Sequence, residues 1–260
     1  MASPDSVNAV TDPLAGLLEL ADCRAALEAA RTAVDNAMRH SALRRSGGQI
    51  AAEVALRTAV ASAALEDRGY DVELVRAGTI TDPVVQGALR VARALDGLTG
   101  TWTRAPRQAL ARLHVLAARD TVSADDLGRP APDAAVSARL DVLAQIVAGT
   151  NSPAMLVAAV VHGELLALTP FAGPNGVVAR GAARLALIAG GLDPRGLLAV
   201  DVGHLARVPE YRGAAGAFAT GTRDGLRAWL KHYAAAVEVA AAELTVVADD
   251  VGTGGWRAMS

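Results

Sequence analysis

Apolar residues recur at helical spacing from Pro13 to about Met38, where Leu14, Leu17, Leu18, Leu20, Cys23, Ala26, Leu27, Ala30 and Val34 predict a first amphipathic helix. Arg44-Arg45-Ser46-Gly47-Gly48 breaks the pattern and reads as a basic, flexible, solvated connection. Helical periodicity resumes over Gln49 to Asp67, again over a short segment from Pro83 to Leu95, and again from Trp102 to Ala118, with Leu110, Leu113 and Leu116 inward. Past Asp120 the chain loosens into the turn-rich stretch Asp125 to Asp133, and the next helix begins near Ser137. Asn151-Ser152-Pro153 starts a further helix, with a capping residue and a proline at its first position. The two most apolar segments come next, one ending at Leu168 and one running from Gly181 to Gly191. Pro170, Gly173, Pro174 and Gly176 separate them, so the unit reads as helix, tight loop, helix, with Asn175 as the cap of the second helix. Gly190-Gly191 closes that helix and Pro194 lies beyond as a stop. A last helix carries Asp224 to Tyr233 and continues over 234–247; residues 1–12 are expected to be disordered and 248–260 a frayed tail.

Composition narrows the class. With 52% hydrophobic residues, 3% aromatics and abundant alanine, the chain favours helix packed on helix, because small side chains allow close approach. The expectation is an all-α fold in four stretches: an N-terminal helix and linker over 1–48, connecting helices over 49–100, a core over 101–247 and a tail over 248–260. A net charge of -2 gives no electrostatic reason to expect nucleic acid or an anionic membrane surface as a partner. The lone Cys23 excludes an intramolecular disulfide, and the five histidines are not at zinc-ligand spacing. His162, Glu164 and Arg184 interrupt the most apolar windows, which fall short of a membrane span. The first residues lack a basic region followed by an apolar stretch, so a cytoplasmic location is expected.

A loop that feeds a helix start collects unpaired backbone N–H groups and can hold an anion. Residues 169–180, Thr-Pro-Phe-Ala-Gly-Pro-Asn-Gly-Val-Val-Ala-Arg, occupy such a loop and resemble the Fic (Fido) signature H-P-F-x-[DE]-G-N-G-R-x-x-R. Pro170, Phe171, Asn175, Gly176 and Arg180 match; Thr169 stands at the histidine, Gly173 at the acid, Pro174 at the first loop glycine and Val177 at the first arginine. The resemblance implies a Fic-fold helical bundle with an N-terminal helical extension. Active relatives move AMP from ATP to a protein hydroxyl: the histidine takes the hydroxyl proton, the acid holds Mg²⁺, and loop amides with two arginines hold the phosphates. Thr169 has no basic nitrogen, and loss of a general base typically removes about 100- to 10,000-fold in rate. Gly173 has no carboxylate, which leaves Mg²⁺ to phosphates and water. Pro174 removes a loop N–H and Val177 a guanidinium.

Upstream, Ser62-x-x-x-Glu66 resembles the family's inhibitory helix motif, [ST]-x-x-x-E-[GN], with Asp67 at the last position. Four-residue spacing puts Ser62 and Glu66 on one helix face. By resemblance Glu66 would pair with Arg180 and obstruct the γ-phosphate position; a cation near a helix start calls for an anion, either that carboxylate or a phosphate. Gly128 and Arg129 fit the start of the flap region, but the next helix follows too soon for a β-hairpin, so the target-docking flap is expected to be missing. His114 and His162 are read as packed structural residues. Two readings follow. One is a catalytically disabled Fic protein that binds: Thr169 inert at the catalytic position, Asn175, Gly176 and Arg180 for nucleotide or anion, Ser62 and Glu66 regulatory, and an unknown protein partner or a second copy of the chain. The other is a transferase of altered chemistry in which His162 or His204 replaces the base.

Overall fold

Two helices with almost no solvent face form the centre of the molecule. In the computed structural model, which describes residues 12–253, these are the two apolar segments that flank the loop at 169–174. A 3-10 turn over Ala15–Glu19 is followed by α1 (Cys23–Ala37), α2 (Ala42–Arg45), α3 (Gly47–Ala64), α4 (Val72–Arg76), α5 (Pro83–Arg104) and α6 (Pro106–Ala118). Then come α7 (Ala134–Gly149), α8 (Ala154–Leu168), α9 (Asn175–Ala189), α10 (Val200–Leu205), α11 (Val208–Ala219) and α12 (Arg223–Gly252). No strand occurs among the described residues, and none of their helices is long and apolar enough to cross a membrane.

Hydrophobicity on every face puts α8 inside, and α9 lies beside it with its two arginines enclosed, so that Met155–Gly163 and Gly176–Leu187 are buried without interruption. Around them, α5 lies against α3, α6 and α9, while α12 holds α1, α10 and α11. Trp229 of α12 is fully buried and donates its Nε1–H to the Ala159 carbonyl of α8 at 2.7 Å, tying the last helix to the centre. The caps are local: Asp71, Asp82, Asp133 and Thr222 accept backbone N–H groups at the starts of α4, α5, α7 and α12.

Several boundaries differ from the periodicity. The predicted helix from Pro13 to Met38 is broken between Leu20, which is extended, and Asp22, which is left-handed at φ 62° and bound to Arg227 at 2.8 Å. The break lets Leu14, Leu20 and Cys23 all be buried. Arg44 to Gly48 is helical apart from Ser46, because buried Ala42 and Leu43 hold α2 to the core, and buried Ile50 in the first turn of α3 overrides the low helix propensity of the two glycines. The expected helices at Pro83–Leu95 and from Trp102 are one helix, α5, anchored in its last turn by buried Trp102. Its break falls at Ala105, since Pro106 disfavours helical backbone in the preceding residue. Neither Asn151 nor Ser152 caps α8; Pro153 takes that position, and Asp12 instead binds Thr150 Oγ1, Asn151 N–H and Ser152 Oγ. Asp12 is therefore ordered, and its carboxyl is lowered to about 2, chiefly by the Leu14 N–H. The other residues expected to be disordered, 1–11, lie outside the described residues. At the far end α12 runs on through buried Val251 to Gly252, so 248–252 are helix and not the expected tail; 254–260 lie outside the described residues.

Candidate functional site

The loop between α8 and α9 is folded by its own side chains and by what lies beneath it. Thr169 ends α8 in the left-handed region (φ 42°, ψ 58°), with its N–H on the Leu165 carbonyl. Pro170 and Phe171 turn inward and are buried. Asn175 is the first residue of α9 rather than its cap; Pro174 holds the cap position and has no side-chain acceptor. The Asn175 amide latches the loop instead, donating to the carbonyls of Phe171 (2.6 Å) and Gly173 (3.2 Å) and accepting the Phe171 N–H (3.0 Å).

Under the loop, His114 stacks on Phe171 with ring centroids 4.5 Å apart. Its Nδ1 accepts the Gly128 N–H at 2.9 Å, which places the proton on Nε2, and Nε2 donates to the Ala172 carbonyl at 2.8 Å. Burial holds this imidazole below the usual histidine range. Residues 119–133 run as turns and irregular chain, without a hairpin, and lie along the loop: the Ala131 N–H donates to the Pro170 carbonyl at 2.8 Å, and Val122 Cγ1 sits where a side chain at Gly173 would begin.

Arg180 lies in the second turn of α9, past the first-turn N–H groups, so its need for an anion comes from burial more than from the helix dipole. It is 2% exposed. Its Nη2 donates to Glu66 Oε1 at 2.8 Å and to the Ser62 carbonyl at 2.9 Å, its Nε donates to Ser62 Oγ at 2.9 Å, and Asp201 Oδ1 lies 3.3 Å from Nε. Burial opposes its charge, but Tyr211, Glu66 and Asp201 outweigh it and raise its pKa. Asp201 is raised by burial, against the pull of Arg180, Arg184 and the Ser62 hydroxyl. Nη1 donates to the Tyr211 hydroxyl at 3.3 Å, and that hydroxyl lies 3.0 Å from His162 Nε2.

Glu66 is not on the helix that carries Ser62. The helix α3 stops at Ala64 and Glu66 follows in a turn whose next residue, Asp67, is left-handed at φ 61°. Both residues still meet at Arg180, because the turn swings Glu66 over the start of α9, where a methyl group on Gly176 would collide with Glu66 Oε1. A groove of about 410 Å³ opens beside this carboxylate, bounded by Leu65, Leu166, Tyr211 and Arg212.

The structure thus brings Ser62, Glu66, Arg180 and Gly176 together, while the Asn175 side chain bonds within the loop and Thr169 is exposed. Asp201 escaped the sequence reading, although a lone carboxylate inside Leu197-Leu-Ala-Val-Asp-Val202 was a usable signal of a buried ion pair. His162 and His204 are 0% and 1% exposed and engage Tyr211 and His232, so neither faces an incoming alcohol. No cluster of three His, Cys, Asp or Glu that could hold a metal occurs among the described residues. The residues do not fit Mg²⁺ at the motif loop, where Gly173 offers no donor and Val122 fills the space of a carboxylate there.

No protein-family model matches the chain, and no curated protein does. Solved structures do. One is the crystal structure of a Fic family protein from Desulfovibrio desulfuricans G20, with TM-score 0.69 and 20% identity over 86% of this chain and 75% of that one. Another is Fic-1 (residues 134–508) from C. elegans, with TM-score 0.67 and 17% identity over 94% of this chain and 75% of that one. This all-helical chain has the Fic/Fido fold.

Proposed function

We propose that this Fic-fold chain does not transfer AMP and works by binding, as a regulatory module for a protein partner, with its anion site held closed by Glu66. The single observation that carries the reading is that exposed Thr169 stands at the base position while the histidines that could replace it are buried and engaged. A threonine hydroxyl is neutral near pH 7 and accepts a hydrogen bond at most. The nearest ring to the loop, His114, has both nitrogens engaged by backbone, and the two other candidate histidines are sealed in the core.

Arg180 keeps the chemistry to meet a phosphate, and Asn175 and Gly176 present the start of α9; the contacts of Glu66 with Arg180 and over Gly176 support the reading that Glu66 takes the anion's place. In this reading Ser62 and Glu66 together act as the latch: Ser62 holds the guanidinium in place and Glu66 neutralises it. ATP is the ligand that the fold suggests for the opened site, bound without a metal-holding residue.

Labelled ATP with Mg²⁺ or Mn²⁺ and cell lysate tests the reading. The wild type and Glu66→Gly are both expected to transfer nothing; strong labelling by Glu66→Gly would overturn it. Calorimetry with ATP on the wild type, Glu66→Gly and Arg180→Ala tests the binding part. Glu66→Gly is expected to gain affinity that Arg180→Ala lacks, and flat traces from all three would leave a scaffold with no nucleotide site.

A further inference from the structure

One core guanidinium is in no direct ion pair among the described residues. Arg184 lies on α9 one turn beyond Arg180 and is 5% exposed. Where Arg180 has Glu66 and Asp201, Arg184 has one hydrogen bond, from Nη2 to the Gly196 carbonyl at 3.1 Å, and its buried Nε has no partner. Asp193 and Asp201 feel its charge, but their oxygens are engaged elsewhere. Asp193 accepts the N–H groups of Leu197 (2.7 Å) and Leu198 (2.9 Å), and Asp201 faces Arg180 and Ser62. A buried guanidinium with five donors and so few of them used is costly unless something anionic completes it.

The Arg184 side chain lines a cavity of about 150 Å³ between α3, α5, α9 and the turn at 193–196. Ala51, Ala92 and Ile188 make part of the wall apolar. Arg93 and Arg195 stand exposed at the edge, neither in an ion pair among the described residues, and Asp96 is the one acid there. Three guanidiniums against Asp96 and the neighbouring buried Asp193 leave a surplus of positive charge at the cavity. Its volume equals that of about five waters at roughly 30 Å³ each, enough for an oxyanion and a short carbon stem. We propose that this cavity binds a small organic oxyanion, a carboxylate or a phosphomonoester, on the part of the Arg184 guanidinium that lines it, while Arg93 and Arg195 hold its outer side. This site is separate from the motif loop and does not depend on the function proposed above.

The test is a titration of the ¹⁵N-labelled full chain, followed by NMR, with inorganic phosphate, methyl phosphate and butyrate in turn. Saturable shifts of the Arg184 Nε–H signal and of the Arg195 to Leu197 amides are expected with at least one probe. Comparing methyl phosphate with butyrate decides which head group is preferred, and comparing methyl phosphate with inorganic phosphate decides whether the stem matters. Arg184→Gln is expected to abolish the amide shifts. Should that variant fold poorly, the edge variant Arg93→Ala/Arg195→Ala, altered only at exposed positions, is expected to weaken binding about tenfold, with weaker binding at higher salt. No shift with any probe, shifts confined to Phe171–Val177, or full affinity in the edge variant would each overturn the proposal.

Discussion

Thr169 is a β-branched residue held at positive φ, where only glycine sits without a steric cost. Nothing in the fold needs its side chain, which is exposed. Thr169→Gly is therefore expected to raise stability by about 1 kcal/mol, read as a shift in the denaturation midpoint, because the relief of strain outweighs the added freedom of the unfolded chain. Unchanged or lower stability would show that the loop, not residue 169, sets this backbone. Gly173 behaves in the opposite way. At φ 77° and against Val122, Gly173→Asp is expected to cost at least about 1–2 kcal/mol, so putting back an acid would strain the loop that has to hold it. At the ion pair the two partners are unequal. Removing Arg180 leaves Asp201 buried without its cation, and Arg180→Ala is expected to cost about 3–5 kcal/mol. Glu66 is more exposed, and its loss leaves Arg180 still bound to Ser62, Tyr211 and Asp201, so Glu66→Ala is expected to cost only about 1 kcal/mol, both variants being measured by urea titration.

Helices were legible where one residue type decided them and illegible where contacts did. Pro83 and Gly190-Gly191 mark true ends because a proline at a helix start and left-handed backbone at its close are local chemistry. The continuity of α5 through Gly97 and Gly100 was not legible, since Trp102 secures it through burial against distant helices. The short helices α4 and α10 left no periodic signal, being under two turns long. The site divides in the same way. The loop pattern of Pro170, Phe171, Asn175, Gly176 and Arg180 could be read from sequence, whereas Asp201 and the seating of Val122 on Gly173 required the fold. His114 joins α6, the 119–133 segment and the motif loop into one unit. Replacement by Phe keeps the stack on Phe171 but leaves the Gly128 N–H and the Ala172 carbonyl unpaired. His114→Phe is expected to lower stability by about 1–3 kcal/mol and to speed hydrogen exchange at Gly128, and unaltered Gly128 exchange would mean that the imidazole does not hold the segment.

Across the whole molecule, the buried histidines make the fold sensitive to mild acid. His114, His162 and His204 are held below the usual histidine range by burial, and His232 is lowered to about 4 for the same reason. His162, His204 and His232 share one aromatic cluster with Tyr211, Trp229 and Tyr233, which locks α8, α10, α11 and α12 together. The folded state binds fewer protons than the unfolded chain between each folded pKa and the ordinary value near 6.5. Stability is thus complete above about pH 6.5 and falls as the pH drops through that window, for His232 down to about 4. Each such group adds a slope of at most about 1.4 kcal/mol per pH unit. Asp193 and Asp201, raised by burial, work with the opposite sign, but only above their ordinary value of 3.8 and up to their raised one, and the four histidines outnumber them. Urea unfolding at about pH 7.5 and about pH 5.5 is expected to show a clear loss at the lower value, and His232→Gln, which removes the least deeply buried of the four rings, to show a smaller one. Equal stability at the two pH values would mean that the cluster takes up its protons without opening, and that the helices around it are held by something other than neutral imidazoles.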